Sequence, residues 1–175
     1  MLKRLALIML CAAGPAVAGS AGEAGRYVET DDYLRTAFPA DIPTPQILWV
    51  TGELRESVEE VLGHKFAMLR VRYWRDGDRS AWILDEIGKE LPITIGVTIK
   101  DCAIDNVRVL EFRESRGWEV RYPFFTDQFA NAQLVKDRRL DRKIDGITGA
   151  TLSVRAVTRI ARVALLMHGH VAKAG

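Results

Sequence analysis

The sequence predicts an α+β fold: a small, mostly antiparallel sheet packed against helices, with a C-terminal helix closing the chain. Three observations predict it. Between residues 65 and 112 the apolar residues recur at period two in four segments. The connections between those segments are short, as antiparallel neighbours allow and parallel crossovers do not. Outside that region, at 51–63 and 152–168, the apolar residues recur at helical spacing.

The first eighteen residues stand apart from this fold. Lys3 and Arg4 precede an apolar run from Leu5 to Ala13, and Ala16-Val17-Ala18 supplies a small-x-small ending, so residues 1–18 read as a secretory signal cleaved before Gly19. The run is well short of the ~20 residues that a membrane span needs. There is no twin arginine, and Leu10 before Cys11 is too large for a lipoprotein site. Export to the periplasm is therefore the expectation for the mature chain.

Composition then narrows the partners. Of 25 basic and 23 acidic residues, only Lys3 and Arg4 leave with the signal, so the mature chain is almost neutral. That excludes the basic footprint of nucleic-acid binding. Cys102 alone survives maturation, so no internal disulfide forms, and no Cys and His cluster offers a metal site.

In chain order, residues 19–63 form an N-terminal lead-in and helix, 64–170 the main domain and 171–175 a tail. Residues 19–41 read as loosely ordered, with a short helix around Tyr33, Leu34, Ala37 and Phe38 closed by Pro39. Thr51 caps a helix whose stripe is Leu54, Val58, Val61 and Leu62, ended by Gly63. Residues 65–74 and 80–87 make a hairpin through Asp76-Gly77-Asp78. Two further strands, 93–99 and 107–112, are joined through 101–106. A short helical stretch, 126–131, precedes a charged connector (Lys136 to Lys143). In the last helix Val154, Val157, Ala161, Ala164 and Leu165 face inward, while Arg155, Arg159 and Arg162 share the polar side. His168 and His170 fall in an expected disordered end.

The chemistry-bearing stretch is Asp145-Gly146-Ile147-Thr148-Gly149-Ala150-Thr151-Leu152-Ser153, immediately before and into that helix. Small residues let a backbone approach a ligand closely, three hydroxyls stand beside them, and a helix N-terminus follows with unpaired N–H groups. This suits a phosphate. A threonine at a helix start can cap it, bind a phosphate or be esterified to one, and composition alone leaves all three open.

The stretch Asp145-Gly146-Ile147-Thr148-Gly149-Ala150-Thr151 resembles the flavinylation motif of the FMN-binding domain family, found in flavoprotein subunits of sodium-pumping NADH:quinone oxidoreductases and Rnf electron-transport complexes. The strand pair from Ile95 to Leu110 and the loop Glu114-Ser115-Arg116-Gly117 are similar to that family's upstream region, so the resemblance spans about 86–166. It implies FMN held as a phosphoester on Thr151 and a flavin transferase that reads Asp145. It places Thr148, Gly149, Ala150 and Ser153 around the phosphate, and Glu114, Ser115, Gly117 and Trp118 along the flavin. Ser115 stands where threonine is common in the family. The implied role is an electron carrier, with no catalytic residue of its own, working with a membrane electron-transfer partner. Two other readings remain at this point: a non-redox accessory or ligand-binding domain in which Thr151 only caps its helix, and a flavin-dependent reductase with its own substrate. There is no Gly-x-Ser-x-Gly elbow, His-Glu-x-x-His or phosphate loop to suggest a hydrolase.

Overall fold

The computed structural model describes residues 25–174, so the signal sequence expected at 1–18 lies outside the described residues. Six antiparallel strands form one sheet in the order β1-β6-β5-β4-β3-β2. They are β1 (Gly25–Arg26), β2 (Gln46–Trp49), β3 (Arg70–Asp76), β4 (Arg79–Ile87), β5 (Pro92–Lys100) and β6 (Ala103–Phe112). The helices are α1 (Thr30–Ala37), α2 (Gly52–Leu62), α3 (Pro123–Thr126) and α4 (Thr151–Ala174), with single turns of 3-10 helix at 118–121, 127–129 and 136–138. The α+β class is as the sequence predicts.

The central ladder follows from alternation. Ile93, Ile95, Val97 and Ile99 of β5 all face one side and are fully buried there, against Val157, Ile160, Ala161 and Ala164 of α4 in one core. Burial on the same side extends to α2 through Leu54, Val58 and Leu62. Helix α2 starts after Thr51, although the Thr51 side chain makes no capping bond, and ends on left-handed Gly63, whose N–H donates to Glu59 O.

Three local readings are revised. The link between β5 and β6 is only Asp101 and Cys102, both left-handed at φ 52° and 60°. Two such residues twist with the strands, so β6 starts at Ala103 instead of 107. Residues 64–69 are irregular and β3 begins at Arg70. The short helical turns of the connector begin at Trp118, earlier than expected.

Larger corrections fall at the two ends. Residues 25–41, expected to be loose, pack on the sheet face opposite α4: Tyr33, Leu34, Ala37 and Phe38 bury against Trp74, Ala81 and Leu110. The Tyr33 ring occupies the space above Gly96, where an added Cβ would stand 2.7 Å from it, and its hydroxyl bonds Thr98 Oγ1 at 3.0 Å. At the C-terminal end, the expected disordered tail is helix. His168 is buried, its Nδ1 2.7 Å from Ser80 Oγ, which in turn accepts from Trp82 Nε1 at 2.8 Å. Burial pushes the His168 imidazole's pKa down, which favours its neutral form.

The arginines of α4 are also less free than an amphipathic wheel implies. Arg159 reaches buried Glu86 at 3.3 Å, and Arg162 Nε donates to Arg138 O at 2.6 Å. These contacts tie α4 to β4 and to the charged connector.

Candidate functional site

Helix α4 begins where the chemistry-bearing stretch ends. A turn closes with Ala150 N–H donating to Ile147 O, and the first helical bond runs from Val154 N–H to Ala150 O. Ala150 is thus the N-cap and Thr151 the first helical residue. Gly149, at φ 84°, makes the left-handed turn that aims the chain into the helix, and a Cβ there would meet nothing within 4 Å. The N–H groups of Thr151, Leu152 and Ser153 precede the first possible helical acceptor. Among the described residues the exposed Thr151 hydroxyl has no hydrogen-bond partner.

This helix start forms one wall of a cleft of about 540 Å³, lined by Gly149 to Ser153, by Glu114, Ser115 and Arg116, and by Lys89. The two motifs, about thirty residues apart in sequence, are therefore brought together. Gly117 makes the joint. It is left-handed at φ 89°, and a Cβ there would lie 3.2 Å from Ser153 Cβ and 3.4 Å from Ala150 Cβ, in collision with Ser153 Oγ. Only glycine allows the 114–118 loop to lie this close to α4.

Glu114 has a task of its own. Its Oε1 accepts the backbone N–H groups of Lys89, Glu90 and Leu91 at 2.5, 2.6 and 2.8 Å. Burial, the largest single influence, pushes its carboxyl up, but the three donors together outweigh it and hold the group below its ordinary value. Glu114 lines the cleft while fixing the β4–β5 hairpin, and the hairpin presents Lys89.

The remaining expected residues lie outside the cleft lining. Asp145 and Thr148 are exposed on the approach to α4, with Asp145 N–H donating to Gln128 Oε1 at 2.7 Å. Trp118 is half-buried, edge-on to Tyr122 with centroids 5.6 Å apart, and Arg121 sits 5.2 Å from its ring centre. One cleft residue, Lys89, lies outside both sequence motifs. Lys89 lies in Gly88-Lys89-Glu90-Leu91, a polar turn between two apolar strands, and that turn chemistry was its only local signal.

The arrangement is suited to a phosphorylated ligand. Helix N–H groups and two cations, Lys89 and Arg116, favour the anion, and a hydroxyl without a partner stands among them. Residues 88–166 match the family model described as the FMN-binding domain. Residues 88–166 therefore form a domain similar to those of the FMN-binding family, which supports FMN as the cofactor bound there. No curated protein matches it. The matched span begins in the β4–β5 hairpin and ends within α4, so it contains every residue of the cleft lining. The residues present fit FMN: the cleft holds donors for its phosphate and a basic rim for its electron-rich ring edge.

Proposed function

We propose that this chain is an exported flavoprotein that carries FMN as a phosphoester on Thr151 and relays electrons between a membrane redox partner and an extracytoplasmic acceptor. The observation that carries the covalent reading is the state of the Thr151 hydroxyl. It is exposed, unpartnered among the described residues and placed on the cleft wall at the first helical position, one residue past the cap. A hydroxyl serving only as a cap belongs at Ala150, where the residue has no oxygen to offer.

FMN supplies uptake and release of one or two electrons. The chain's own residues bind and orient it. The N–H groups of Thr151, Leu152 and Ser153 and the side chains of Lys89 and Arg116 attract the phosphate. Glu114 holds Lys89 in position through the hairpin backbone, and the Gly117–Ser153 contact sets the width of the cleft. In attachment, the Oγ1–P bond forms, the bond from phosphorus to the donor's leaving group breaks, and the hydroxyl proton passes to solvent. A flavin transferase that recognises Asp145 on the exposed approach carries out this step. The charge left on the ester stays beside the α4 N-terminus, a favourable position by roughly 0.3–1 kcal/mol.

Intact mass tests the proposal. Protein coexpressed with a flavin transferase is expected to gain the mass of FMN less one water, and Thr151→Ala to lose that gain. Equal masses for the two proteins would reject covalent attachment. An ultraviolet-excited fluorescent band on a denaturing gel reads the same outcome independently.

A further inference from the structure

Exposed apolar side chains gather at the end of the sheet where the cleft opens. In β2 and β3, Ile47 pairs with Arg72 and Trp49 with Arg70, so these four side chains share one face. That face is opposite α4, since the intervening Leu48 and Val71 are buried in its core. Helix α1 covers only the part of this face around Trp74, Ala81 and Leu110. Trp49 remains 59% exposed and Ile47 51%. The strand directions put Trp49, Leu69, Ile87 and Leu91 at the same end of the sheet as the β4–β5 hairpin.

The hairpin is a shared wall. On one side it carries Lys89 into the flavin cleft. On the other, Ile87 and Pro92 join Phe66, Ala67 and Met68 around a pocket of about 250 Å³ whose charged lining, His64 and Lys65 with Asp85 and Glu86, carries both signs. The cations here are available. Arg70 lies 5.6 Å over the Trp49 ring, and neither Arg70 nor Arg72 has a carboxylate partner among the described residues.

We propose that this end of the molecule docks on an anionic phospholipid surface, with Trp49, Leu69, Ile87 and Leu91 entering the interface and Arg70 and Arg72 meeting the headgroup phosphates. Charge complementarity selects this occupant. A second copy related by a two-fold axis close to Arg70 and Arg72 would set these arginines of one chain against the same arginines of the other. A bilayer offers instead a negative surface, which attracts each such cation, above an apolar layer in which an indole with a polar edge is at home. The consequence is positional: a docked molecule holds its flavin cleft beside the membrane, where a membrane donor can reach it. This inference rests on the export proposed above, and its test requires no flavin.

The exported chain is mixed with vesicles of phosphatidylglycerol and phosphatidylcholine in equal parts, and with phosphatidylcholine alone. Cosedimentation with the anionic vesicles is expected, weakened by salt, together with a blue shift of tryptophan emission that Trp49→Phe removes. Arg70→Gln with Arg72→Gln is expected to weaken binding by roughly tenfold or more, and Trp49→Ser with Leu69→Ser to abolish the emission shift. Substitutions at exposed sites leave folding intact by circular dichroism, and Phe124→Ser, outside the docking patch, leaves binding unchanged. Absence of vesicle binding overturns the proposal, as does binding that both double variants retain. Salt-sensitive binding to soluble polyglutamate without vesicle binding assigns the face to an acidic protein and overturns it as well. Failure of Thr151 to acquire FMN leaves all of these readouts interpretable, so the two proposals fail separately.

Discussion

Gly117 rests directly against Ser153, with the position of its missing Cβ 3.2 Å from Ser153 Cβ and overlapping Ser153 Oγ. The loop that follows β6 and the first turn of α4 are thereby held in direct contact. Gly117→Ala adds a methyl group at φ 89°, so it carries both a left-handed backbone penalty and an overpacking penalty, together roughly 2–4 kcal/mol. Urea unfolding of Gly117→Ala, Ser153→Ala and the double variant measures this. The double variant is expected to be more stable than the sum of the two single changes implies, because the collision with Oγ is gone. Strict additivity would show that the contact is not what constrains residue 117.

Thr151→Ala separates a cap from an attachment point by stability alone. With no hydrogen bond to lose, the flavin-free variant is expected to stay within about 0.5 kcal/mol of the parent. Loss of about 1 kcal/mol, the usual effect of deleting a helix N-cap, would favour the capping role. Thermal or denaturant midpoints of the two cofactor-free proteins decide it.

Glu114 gives the cleft a pH dependence whose sign follows from its lowered pKa. A carboxyl held below its ordinary value of 4.5 contributes stability above that pH, and the contribution is lost as pH falls through the folded-state value. Glu114→Gln keeps an acceptor oxygen but cannot be protonated in this way. At neutral pH the variant is expected to be less stable by about 1–3 kcal/mol, the range for replacing a charged hydrogen-bond acceptor. Between pH 6 and about 3.5, its stability is expected to fall less steeply than the parent's. Parallel curves would mean that this carboxylate is not the group responsible.

His64 acts in the opposite direction. Hydrogen bonding to Lys65 O and then to Glu86, 3.0 Å from Nε2, raises its pKa above 6.5. Its contribution is therefore complete below pH 6.5 and disappears as pH rises through the raised value. The imidazole is half exposed, so solvent screens the pair and the effect is small. Histidine proton shifts followed by NMR are expected to titrate above the ordinary value, and Glu86→Gln to bring the midpoint down. An unmoved midpoint in that variant would remove Glu86 from the account.

Much of this site was legible because it is local. Thr151, Gly149 and Ala150 were visible as small and hydroxyl residues at a helix start, and the apolar spacing of Val157, Ala161 and Ala164 showed that a helix follows. Glu114 was visible only through resemblance, and as a flavin neighbour. Its bonds to the backbone of 89–91 join segments more than twenty residues apart, which no short-range pattern reports. Lys89 escaped for the same reason, since a lysine in a turn is an ordinary solvated residue until the fold turns it toward another motif. The tail was misread because His168 and His170 look polar in sequence, while His168 is satisfied by Ser80 far along the chain.

By itself the sequence determined the α+β class, the helix behind Thr151, the flavinylation-like motif and the expectation of export. The class, the helix and the export signal are matters of composition or of periodicity within one segment, and the motif is a matter of resemblance to a family. Tertiary structure alone decided that Ala150 rather than Thr151 occupies the cap position, that Gly117 seats on Ser153, that Glu114 serves the hairpin carrying Lys89, and that Trp49 shares an end with the cleft. Those facts depend on strand register and on close approach between distant segments, and packing sets both only once the whole sheet has formed.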